Sequence, residues 1–448
     1  MSLLLPGTRL SGSVSVPASK SWLHRYLLLA AMGTRETAFA AEEISADVQA
    51  SLNCLQVLGA EVRYLPGEVR VRPMPRYIPP VPEYYPHRTV SRYTLPVGES
   101  GTTLRFMLPF SGLVDTFTAE FEYQTEGRLA DRPLEPLMDV LRSGSGYMFR
   151  SEGGRLISLG SLHAGVYRVP AGISSQFVSG MLLALPFVTE GESLLLLDGK
   201  TVSAEYIRMT EDALKDAHIR FSTIRGGYSI PGGQKAILPP QMIPEGDASA
   251  AVPFAVMGAF SEKGITVRGV RPDSSQPDRK ILRLLEDIGA DVSQEQDGFT
   301  VKKGKAGRES VRQLELDAAE MPDAAPCAAV LAMGGLCRLK ILHPQRLRVK
   351  ESDRAEGIRK LADAVGARCA CSEEELTVEA GSTDVQTAPA FADIQSDHRL
   401  AMAAAAAAVC CGKSLRIDKE DCVGKSFPGF WKEYFSLESE DGNVRLER

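Results

Sequence analysis

The sequence predicts an α/β protein made of six copies of one module, arranged as two groups of three. The first observation behind this is a segment with a small or polar opening and an Ala/Leu/Met-rich continuation, which recurs along the chain. The copies are SWLHRYLLLAAM from Ser21, SGTTLRFMLPF from Ser100, SSQFVSGMLLALP from Ser174, DASAAVPFAVMGAF from Asp247, DAAPCAAVLAMGG from Asp323 and DHRLAMAAAAAAVCC from Asp397. Their starts lie 73 to 79 residues apart, and self-similarity at a fixed period is typical of a repeat architecture.

The second observation is another helical pattern that runs into a short strand in most modules. It reads SLNCLQVLGAEVRYL from residue 51, RKILRLLEDIGADVS from 279 and EGIRKLADAVGARCA from 356, with weaker copies from 136 and 206. Several copies show Gly-Ala before an alternating strand. Each module is therefore predicted to contain two helices and short strands in roughly 75 residues.

The boundary between the two groups is predicted near PPQMIPEGD at 239–247. The strand pattern RLSGSVSVP precedes the first module and could pair with either half. The segment 66–96 is rich in proline, and proline is excluded from central strands, so we expect an insertion or an edge loop there.

Composition excludes several classes of protein. A chain of 448 residues is longer than a single hydrophobic core usually accommodates, so more than one domain is expected. The net charge of −6 argues against a general nucleic-acid binder. No apolar run approaches the length of a membrane span, and the N-terminus lacks a signal-peptide pattern. The eight cysteines fit reduced thiols, so we expect a cytoplasmic protein without membrane or nucleic-acid partners.

A metal site is not expected either. The pairs CAC at 369–371 and CC at 410–411 lack the spacing of zinc ligands, and the six histidines are scattered. The stretch VGKS at 423–426 resembles a phosphate loop, but Lys419 stands where a Walker motif needs glycine.

Basic residues lie beside the starts of the repeated helices, among them Lys20, Arg25, Arg105 and Arg399. A cation at a helix N-terminus costs stability unless an anion neutralises it. Helix amides with Lys and Arg would suit a carboxylate or phosphate ligand. The alternative is that these are solvated cations on capped core helices.

Two carboxylates are candidates for proton transfer. Asp323 opens a repeated helix, and Glu351 lies in the cation-rich segment RLRVKESDR. The alternatives are that Asp323 is a helix N-cap and that Glu351 is an ion-pair partner of Lys350 or Arg354.

The motifs SKS…HR, SGTTLR, DRP, SSQ, EGDASAA, PDAA, RVKESDR, DHRLAM and KSFP follow in order over nearly the whole chain. Together they resemble the EPSP synthases (3-phosphoshikimate 1-carboxyvinyltransferases) of the enolpyruvyl transferase family. The resemblance implies six βαβαββ units, three per domain, in an inside-out α/β barrel. It implies a domain of 1–18 with 245–448, and an inserted domain of 19–244.

The resemblance also implies a reaction. The enolpyruvyl group of phosphoenolpyruvate is transferred to the 5-hydroxyl of shikimate 3-phosphate by addition and elimination, and phosphate is released. No metal or organic cofactor is expected, and the chain is expected to be a monomer.

Site residues carried over from the resemblance fall into two sets. The residues expected to bind shikimate 3-phosphate are Lys20, Ser21, Arg25, Ser174, Ser175, Gln176, Ser203, Tyr206, Asp323, Arg346 and Lys350. The residues expected to bind phosphoenolpyruvate are Lys20, Gly101, Arg132, Gln176, Arg354, Arg399 and Lys425. Asp323 matches the base near the 5-hydroxyl, Glu351 matches the acid that protonates the methylene carbon, and Lys20 is a third catalytic candidate.

The sequence departs from the family pattern at three site positions. Glu99, Arg346 and Ser396 stand where asparagine is usual. A carboxylate at position 99 weakens phosphoenolpyruvate binding unless it pairs with a cation, so a degenerate anion-binding homologue is one alternative. The other is the sister enzyme that uses UDP-N-acetylglucosamine, which usually has a loop cysteine, whereas no cysteine lies between Gly98 and Arg132 here.

Overall fold

Helices and strands alternate along the chain in the computed structural model, which describes residues 2–75, 83–85, 88–114, 119–304, 312–381 and 388–440. The helices are α1 Lys20–Ala31, α2 Ala46–Val57, α3 Gly101–Ser111, α4 Glu135–Ser145, α5 Ser175–Ala184, α6 Ala204–Asp216, α7 Ala248–Gly258, α8 Ile281–Asp287, α9 Ala325–Met333, α10 Gln345–Arg348, α11 Arg354–Ala364, α12 His398–Cys411 and α13 Phe430–Ser436. Short 3-10 turns occupy Leu129–Asp131, Leu185–Phe187, Pro277–Lys280 and Glu420–Lys425.

The strands are short and fall between these helices. They are β1 Ser2–Leu5, β2 Leu10–Ser15, β3 Thr37–Ala40, β4 Glu61–Leu65, β5 Glu68–Arg72, β6 Glu83–Tyr85, β7 Arg88–Gly98, β8 Ala119–Thr125, β9 Met148–Glu152, β10 Arg155–Leu159, β11 Val166–Pro170, β12 Glu192–Asp198, β13 Ser222–Ile224, β14 Gly227–Pro231, β15 Gln241–Met242, β16 Ile265–Arg268, β17 Asp291–Glu295, β18 Gly298–Lys302, β19 Arg312–Asp317, β20 Cys337–Leu342, β21 Arg368–Cys371, β22 Glu375–Glu379, β23 Ala390–Phe391, β24 Leu415–Asp418 and β25 Glu438–Ser439.

All six repeated stretches form helices, namely α1, α3, α5, α7, α9 and α12. Four of them begin where a side chain accepts a first-turn backbone N–H: Ser100, Ser174, Asp247 and Asp397. The helix α9 differs because its N-cap is Ala324. The interpretation of Asp323 as the N-cap is therefore wrong. Every residue of α7 and α9 is buried, as expected of helices that are apolar on all sides.

The chain divides into two compact units. The terminal unit comprises Met1–Ser19 and Glu245–Arg448, and the inserted unit comprises Lys20–Pro244. The first boundary lies one residue from the expected one, and the second coincides with it. Among the described residues, no helix is long and apolar enough to cross a membrane.

Each unit contains three sheets with a shared pattern. In the inserted unit the strand orders are β15-β3-β5-β4, β6-β7-β8-β10-β9 and β11-β12-β14-β13. In the terminal unit they are β17-β18-β16-β2-β25, β19-β20-β22-β21 and β1-β24-β23. A parallel pair such as β11 and β12 lies beside antiparallel strands such as β14 and β13. Because helices connect these strands, β11-α5-β12-α6-β13-β14 is one βαβαββ unit.

Two strands pair with modules that are distant in sequence. The strand β2 precedes the first module, but it pairs in parallel with β16 of the fourth module, in the terminal unit. Conversely, β15 precedes the fourth module and pairs in parallel with β3 of the first. This exchange of strands gives both modules the parallel pair that their own sequence neighbours do not supply.

The expectation of an insertion or edge loop over 66–96 is wrong for Glu68–Arg72. This strand, β5, lies between β3 and β4 and pairs with both. The side chains of Val69 and Val71 are buried, because the segment EVRVR alternates before the first proline at 73. The strand β7 also begins inside this range, at Arg88. Residues 76–82 and 86–87 lie outside the described part of the chain.

A buried polar chain connects three helices of the inserted unit. Nδ1 of His24 on α1 lies 2.8 Å from Oγ of Ser51 on α2, and Oγ of Ser51 lies 2.8 Å from Oγ1 of Thr103 on α3. His24 is fully buried. Burial is the main reason that its pKa falls from 6.5 to about 3, because the charged imidazolium is poorly solvated there.

This histidine makes the stability of the inserted unit depend on pH. Its pKa is lower in the folded state, so the unfolded chain binds more protons and stability falls as the pH drops from 6.5 towards 3. Within this window the free energy of unfolding should fall by about 1.4 kcal/mol for each unit by which the pH drops. The free energy of unfolding, measured by urea denaturation at several pH values, should depend less steeply on pH for His24→Gln than for the wild type. The same change at exposed His163 should leave the wild-type slope.

Candidate active site

One buried arginine in the terminal unit holds three carboxylates. Arg354 is the first residue of α11, and its side chain is 1% exposed. Its Nε donates to Oδ2 of Asp397 at 2.8 Å and its Nη1 to Oδ1 of Asp323 at 2.8 Å. Its Nη2 donates to Oε2 of Glu351 at 2.9 Å. The two candidate proton-transfer carboxylates, Asp323 and Glu351, are thus bound to the same guanidinium.

A second buried arginine completes the environment of Asp323. Arg399, in the first turn of α12, donates from Nη2 to Oδ2 of Asp323 at 3.1 Å. Its Nη2 also donates to the hydroxyl of Ser249 at 2.6 Å, and its Nη1 to the Ser249 carbonyl at 3.1 Å. Nζ of Lys350 lies 3.9 Å from Oδ1 of Asp323. Each oxygen of Asp323 is therefore bound by a different arginine.

The third carboxylate, Asp397, is fully buried. It accepts the backbone N–H of Arg399 at 2.8 Å, as the N-cap of α12, and the hydroxyl of Ser352 at 2.8 Å. Together with the Nε of Arg354, these donors satisfy a carboxylate that has no access to water.

Charge balance keeps both arginines ionised. Burial by itself lowers the pKa of Arg354, but Asp397, Glu351 and Asp323 raise it well above its usual range. Burial likewise lowers the pKa of Arg399, and Asp323 is the first of the carboxylates that raise it above the usual value. The side chains of Asp323 and Glu351 are 21% and 18% exposed, so these two carboxylates are open to a ligand while Asp397 is not.

The inserted unit contains a separate cluster at the starts of four helices. Lys20, at the start of α1, donates from Nζ to Oδ2 of Asp47 at 3.0 Å, and Asp47 lies in the first turn of α2. The cation at the start of α1 thus has a carboxylate partner from the neighbouring helix. Thr103 in α3 donates to the Asp47 carbonyl at 3.3 Å, which links α2 to α3.

The start of α3 also meets the start of α5. Nε2 of Gln176 donates to Oγ1 of Thr102 at 2.9 Å. At Gly101 the backbone lies close to two guanidinium groups, since a Cβ there would fall 2.7 Å from Nη1 of Arg132 and 2.8 Å from Nη1 of Arg105. A side chain at position 101 would therefore require these guanidinium groups to move.

The side chain of Arg25 donates hydrogen bonds to other groups of the protein. Its Nε donates to Oγ1 of Thr210 at 2.8 Å, and its Nη groups donate to the carbonyls of Ser21 and Tyr206, both at 2.7 Å. Burial is the main cause that lowers its pKa to about 10. Arg25 thereby fixes the start of α6 to α1. Its contact with a ligand stays a prediction.

The predicted site residues are distributed between the two units. The inserted unit holds Lys20, Ser21, Arg25, Gly101, Arg132, Ser174, Ser175, Gln176, Ser203 and Tyr206. The terminal unit holds Asp323, Arg346, Lys350, Glu351, Arg354, Arg399 and Lys425. Ser174 and Ser203 are the N-caps of α5 and α6, and Ser203 has a left-handed backbone with φ of 49°. Lys425 ends the turn Glu420–Lys425, which packs against α12.

Sequence reasoning did not single out three residues that organise these clusters: Asp397, Ser249 and Asp47. Asp397 and Ser249 stand inside the motifs DHRLAM and EGDASAA, two residues before Arg399 and two after the capping Asp247. Their position at helix starts was the available signal. Their partners are distant in sequence, so the contacts themselves were not visible.

Two of the departures from the family pattern have defined surroundings. The carboxylate of Glu99 lies against Gly127, where a Cβ would fall 2.2 Å from its Oε1. Ser396 has a left-handed backbone with φ of 57°, a conformation that asparagine adopts more readily than serine. Among the residues described, no group of three or more His, Cys, Asp or Glu side chains could hold a metal ion.

The fold is similar to solved structures of one class of enzyme. EPSP synthase from Acinetobacter baumannii matches with a TM-score of 0.73 and 22% identity, covering 98% of both chains. The enolpyruvyl transferase NikO from Streptomyces tendae matches with a TM-score of 0.72 and 16% identity, again over 98% of both chains. The fold is that of the enolpyruvyl transferases, as predicted.

Sequence comparison identifies the family within this class of enzymes. The sequence profile of EPSP synthase (3-phosphoshikimate 1-carboxyvinyltransferase) matches residues 4–434. The 3-phosphoshikimate 1-carboxyvinyltransferase of Clostridium kluyveri is 31% identical over 97% of this chain and 96% of its own. That of Clostridium acetobutylicum is 29% identical over 96% and 95%. The chain belongs to the EPSP synthase family, and the resemblance found in the sequence is confirmed.

Proposed function

We propose that the protein, acting as a monomer, transfers the enolpyruvyl group of phosphoenolpyruvate to the 5-hydroxyl of shikimate 3-phosphate and releases phosphate. The observation that carries the proposal is the pair Asp323 and Glu351, two partly exposed carboxylates on one buried arginine, in a chain of the EPSP synthase family. The addition of an alcohol to an alkene needs a base at the hydroxyl and an acid at the carbon.

Asp323 acts as the base in this scheme. Its oxygens accept hydrogen bonds from two arginines. The carboxylate accepts the proton of the 5-hydroxyl while the hydroxyl oxygen bonds to C2 of phosphoenolpyruvate. The arginines hold the orientation of the carboxylate, which reduces the cost of bringing the reacting atoms together.

Glu351 acts as the acid. A substrate carboxylate that binds Nη2 of Arg354 takes the place that Glu351 occupies there. A carboxyl group that loses a cationic partner and gains an anionic neighbour favours its neutral form. Neutral Glu351 then gives its proton to the methylene carbon. In the elimination step it takes a proton back from the resulting methyl group as the C–O bond to phosphate breaks, and the proton that Asp323 accepted leaves with the phosphate.

The cations supply the charge that this chemistry needs. Phosphoenolpyruvate and shikimate 3-phosphate are anions, whereas the chain has a net charge of −6. Local cations must therefore offset both the ligands and the protein. The residues that we assign to phosphoenolpyruvate are Lys20, Gly101, Arg132, Gln176, Arg354, Arg399 and Lys425. Those that we assign to shikimate 3-phosphate are Lys20, Ser21, Arg25, Ser174, Ser175, Gln176, Ser203, Tyr206, Asp323, Arg346 and Lys350.

Gly101→Ala is expected to raise the KM for phosphoenolpyruvate about tenfold, because small displacements of a binding group have large effects. The new Cβ falls 2.7 Å from Nη1 of Arg132, so the guanidinium must move. Steady-state kinetics should show little change in the KM for shikimate 3-phosphate. Gly165→Ala is the matched control, because its Cβ meets only ordinary contacts from 3.5 Å. An unchanged KM in Gly101→Ala would remove Arg132 from the phosphoenolpyruvate site.

The test of the function is phosphate release from phosphoenolpyruvate, with and without shikimate 3-phosphate, in the wild type and in Lys20→Met. Lys215→Met is the control, since Lys215 is an exposed lysine of the same unit that pairs with Asp212. We expect release that requires shikimate 3-phosphate, is lost in Lys20→Met and is retained in Lys215→Met.

The other outcomes identify the alternatives. Release that requires UDP-N-acetylglucosamine instead would indicate the sister enzyme. Binding of shikimate 3-phosphate without release from either acceptor would indicate an anion-binding homologue, and Glu99→Asn would then be the first change to test for recovery of turnover.

A further inference from the structure

We infer that Asp397 is a positioning residue, which fixes the guanidinium of Arg354 between Asp323 and Glu351 so that one arginine couples the two proton-transfer carboxylates. The inference rests on the proposed function, because it assigns a task to a residue that touches neither substrate nor reacting atoms.

The geometry behind the inference is the way that Arg354 is held. The carboxylate of Asp397 lies at the edge of the guanidinium formed by Nε and Nη2. Its Oδ2 lies 2.8 Å from Nε, and its Oδ1 lies 3.5 Å from Nη2. The outer N–H groups then point to Asp323 and Glu351. A guanidinium is planar, so fixing its Nε edge fixes the direction of Nη1 and Nη2 as well.

Asp397 is itself fixed by elements other than α11. The backbone N–H of Arg399 and the hydroxyl of Ser352 hold its two oxygens. The carboxylate therefore cannot follow Arg354 if the guanidinium turns. A simple helix cap does not need this arrangement, as Asp353 illustrates at the start of α11 by accepting the Glu356 N–H at 3.1 Å.

Asp397 also sets the charge that Asp323 and Glu351 experience. Its buried negative charge offsets part of the positive charge of Arg354, and Coulomb interactions are strong where water is excluded. The other charged or titratable groups around this centre are Asp323, Lys350, Glu351, Arg399, His398 with Nδ1 3.6 Å from Oδ1 of Asp397, Cys422, Cys327, Asp247 and Asp278.

The experiment compares Asp397→Asn with the matched control Asp353→Asn. Asparagine is also a good N-cap, so both variants retain their helix starts and lose one negative charge. In Asp397→Asn the arginine is held less firmly, and kcat should fall about 100-fold. Both limbs of the kcat/KM–pH profile, which report the free enzyme in which Arg354 binds Asp323 and Glu351, should move to lower pH by about one unit. Without the charge of Asp397, more of the positive charge of Arg354 acts on these two carboxylates and favours their anionic forms.

The control should retain the wild-type kcat and both limbs of its profile. A role confined to helix capping would leave Asp397→Asn with the wild-type kcat and unmoved limbs, because asparagine still caps the helix. Wild-type kcat and wild-type limbs in Asp397→Asn, or the same change of profile in Asp353→Asn, would overturn the inference.

A second readout does not depend on turnover. The Nε–H of Arg354 should exchange slowly with solvent in the wild type, measured by NMR and assigned by its absence in Arg354→Lys. Exchange should be at least about tenfold faster in Asp397→Asn, because the acceptor is lost. If the wild type releases no phosphate, the proposed function fails, and unchanged exchange in Asp397→Asn would separately overturn the positioning role.

Ser352→Ala covers the case in which Asp397→Asn does not fold. It removes the hydroxyl donor from Oδ2 of Asp397 without changing any charge. We expect faster exchange of the Arg354 Nε–H and a several-fold lower kcat, with both pH limbs unmoved. Wild-type exchange and kcat in this variant would count against the inference.

Discussion

Arg354→Leu is expected to destabilise the terminal unit by about 3–5 kcal/mol, the cost of leaving buried charges without their partner. The change removes the only residue that contacts Asp323, Glu351 and Asp397 together among the described ion pairs. Asp397 is most affected, because its side chain has no exposed surface. Urea denaturation followed by the fluorescence of Trp431, in a Trp22→Phe background, measures the terminal unit.

Arg359→Leu on the same helix is the matched control. Arg359 also binds two carboxylates, Glu356 and Asp363, but its side chain is 40% exposed. Exposed ion pairs contribute about 0–1 kcal/mol, so this variant should unfold close to the wild type. Equal losses in the two variants would show that burial of the Arg354 cluster is not the source of the effect.

Asp323→Asn is expected to lower kcat by about 10²–10⁴, the range of general acid–base catalysis, while shikimate 3-phosphate still binds. The amide cannot accept the hydroxyl proton, although its carbonyl can still accept from one of the two arginines. Glu351→Gln should show a loss of similar size for the protonation of carbon. Single-turnover kinetics and calorimetric titration with shikimate 3-phosphate separate chemistry from binding.

Asp317→Asn is the control for this prediction. Asp317 lies six residues earlier, at the end of β19, where it accepts from the Ala319 N–H and lies 2.8 Å from Nδ1 of His343. Its replacement should leave kcat near the wild-type value. If Asp323→Asn kept more than a tenth of the wild-type kcat, another group would have to be the base.

The helices were predictable from the sequence because their signals are local. Apolar spacing and capping residues such as Ser100 and Asp247 lie within the segments that they define. The strands were less predictable. The residues of β2 pair with residues 253 positions away, in Ile265–Arg268, and the alternation of β5 was obscured by the prolines that follow it.

The candidate residues were predictable as a set, but their contacts were not. The motifs pointed to Asp323, Glu351 and Arg354, and the pairing of Glu351 with Arg354 was one of the alternatives considered. The contacts of Asp397 with Arg354 and of Ser249 with Arg399 join residues 43 and 150 positions apart. Such contacts follow from the packing of α7, α11 and α12, which no local pattern specifies.

The exchange of strands between modules has a consequence for synthesis on the ribosome. The inserted unit is continuous in sequence and carries every strand of its own sheets, so it can fold as soon as Met242 has emerged. The strand β2 stays without its partner until β16 has been synthesised. At a synthesis rate of 5–20 residues per second this delay is roughly 10–50 s. An unpaired strand is an aggregation hazard during such a delay. The sequence of β2, LSGSVS, contains three serines and a glycine, so the unpaired strand is a poor template for association with other nascent chains.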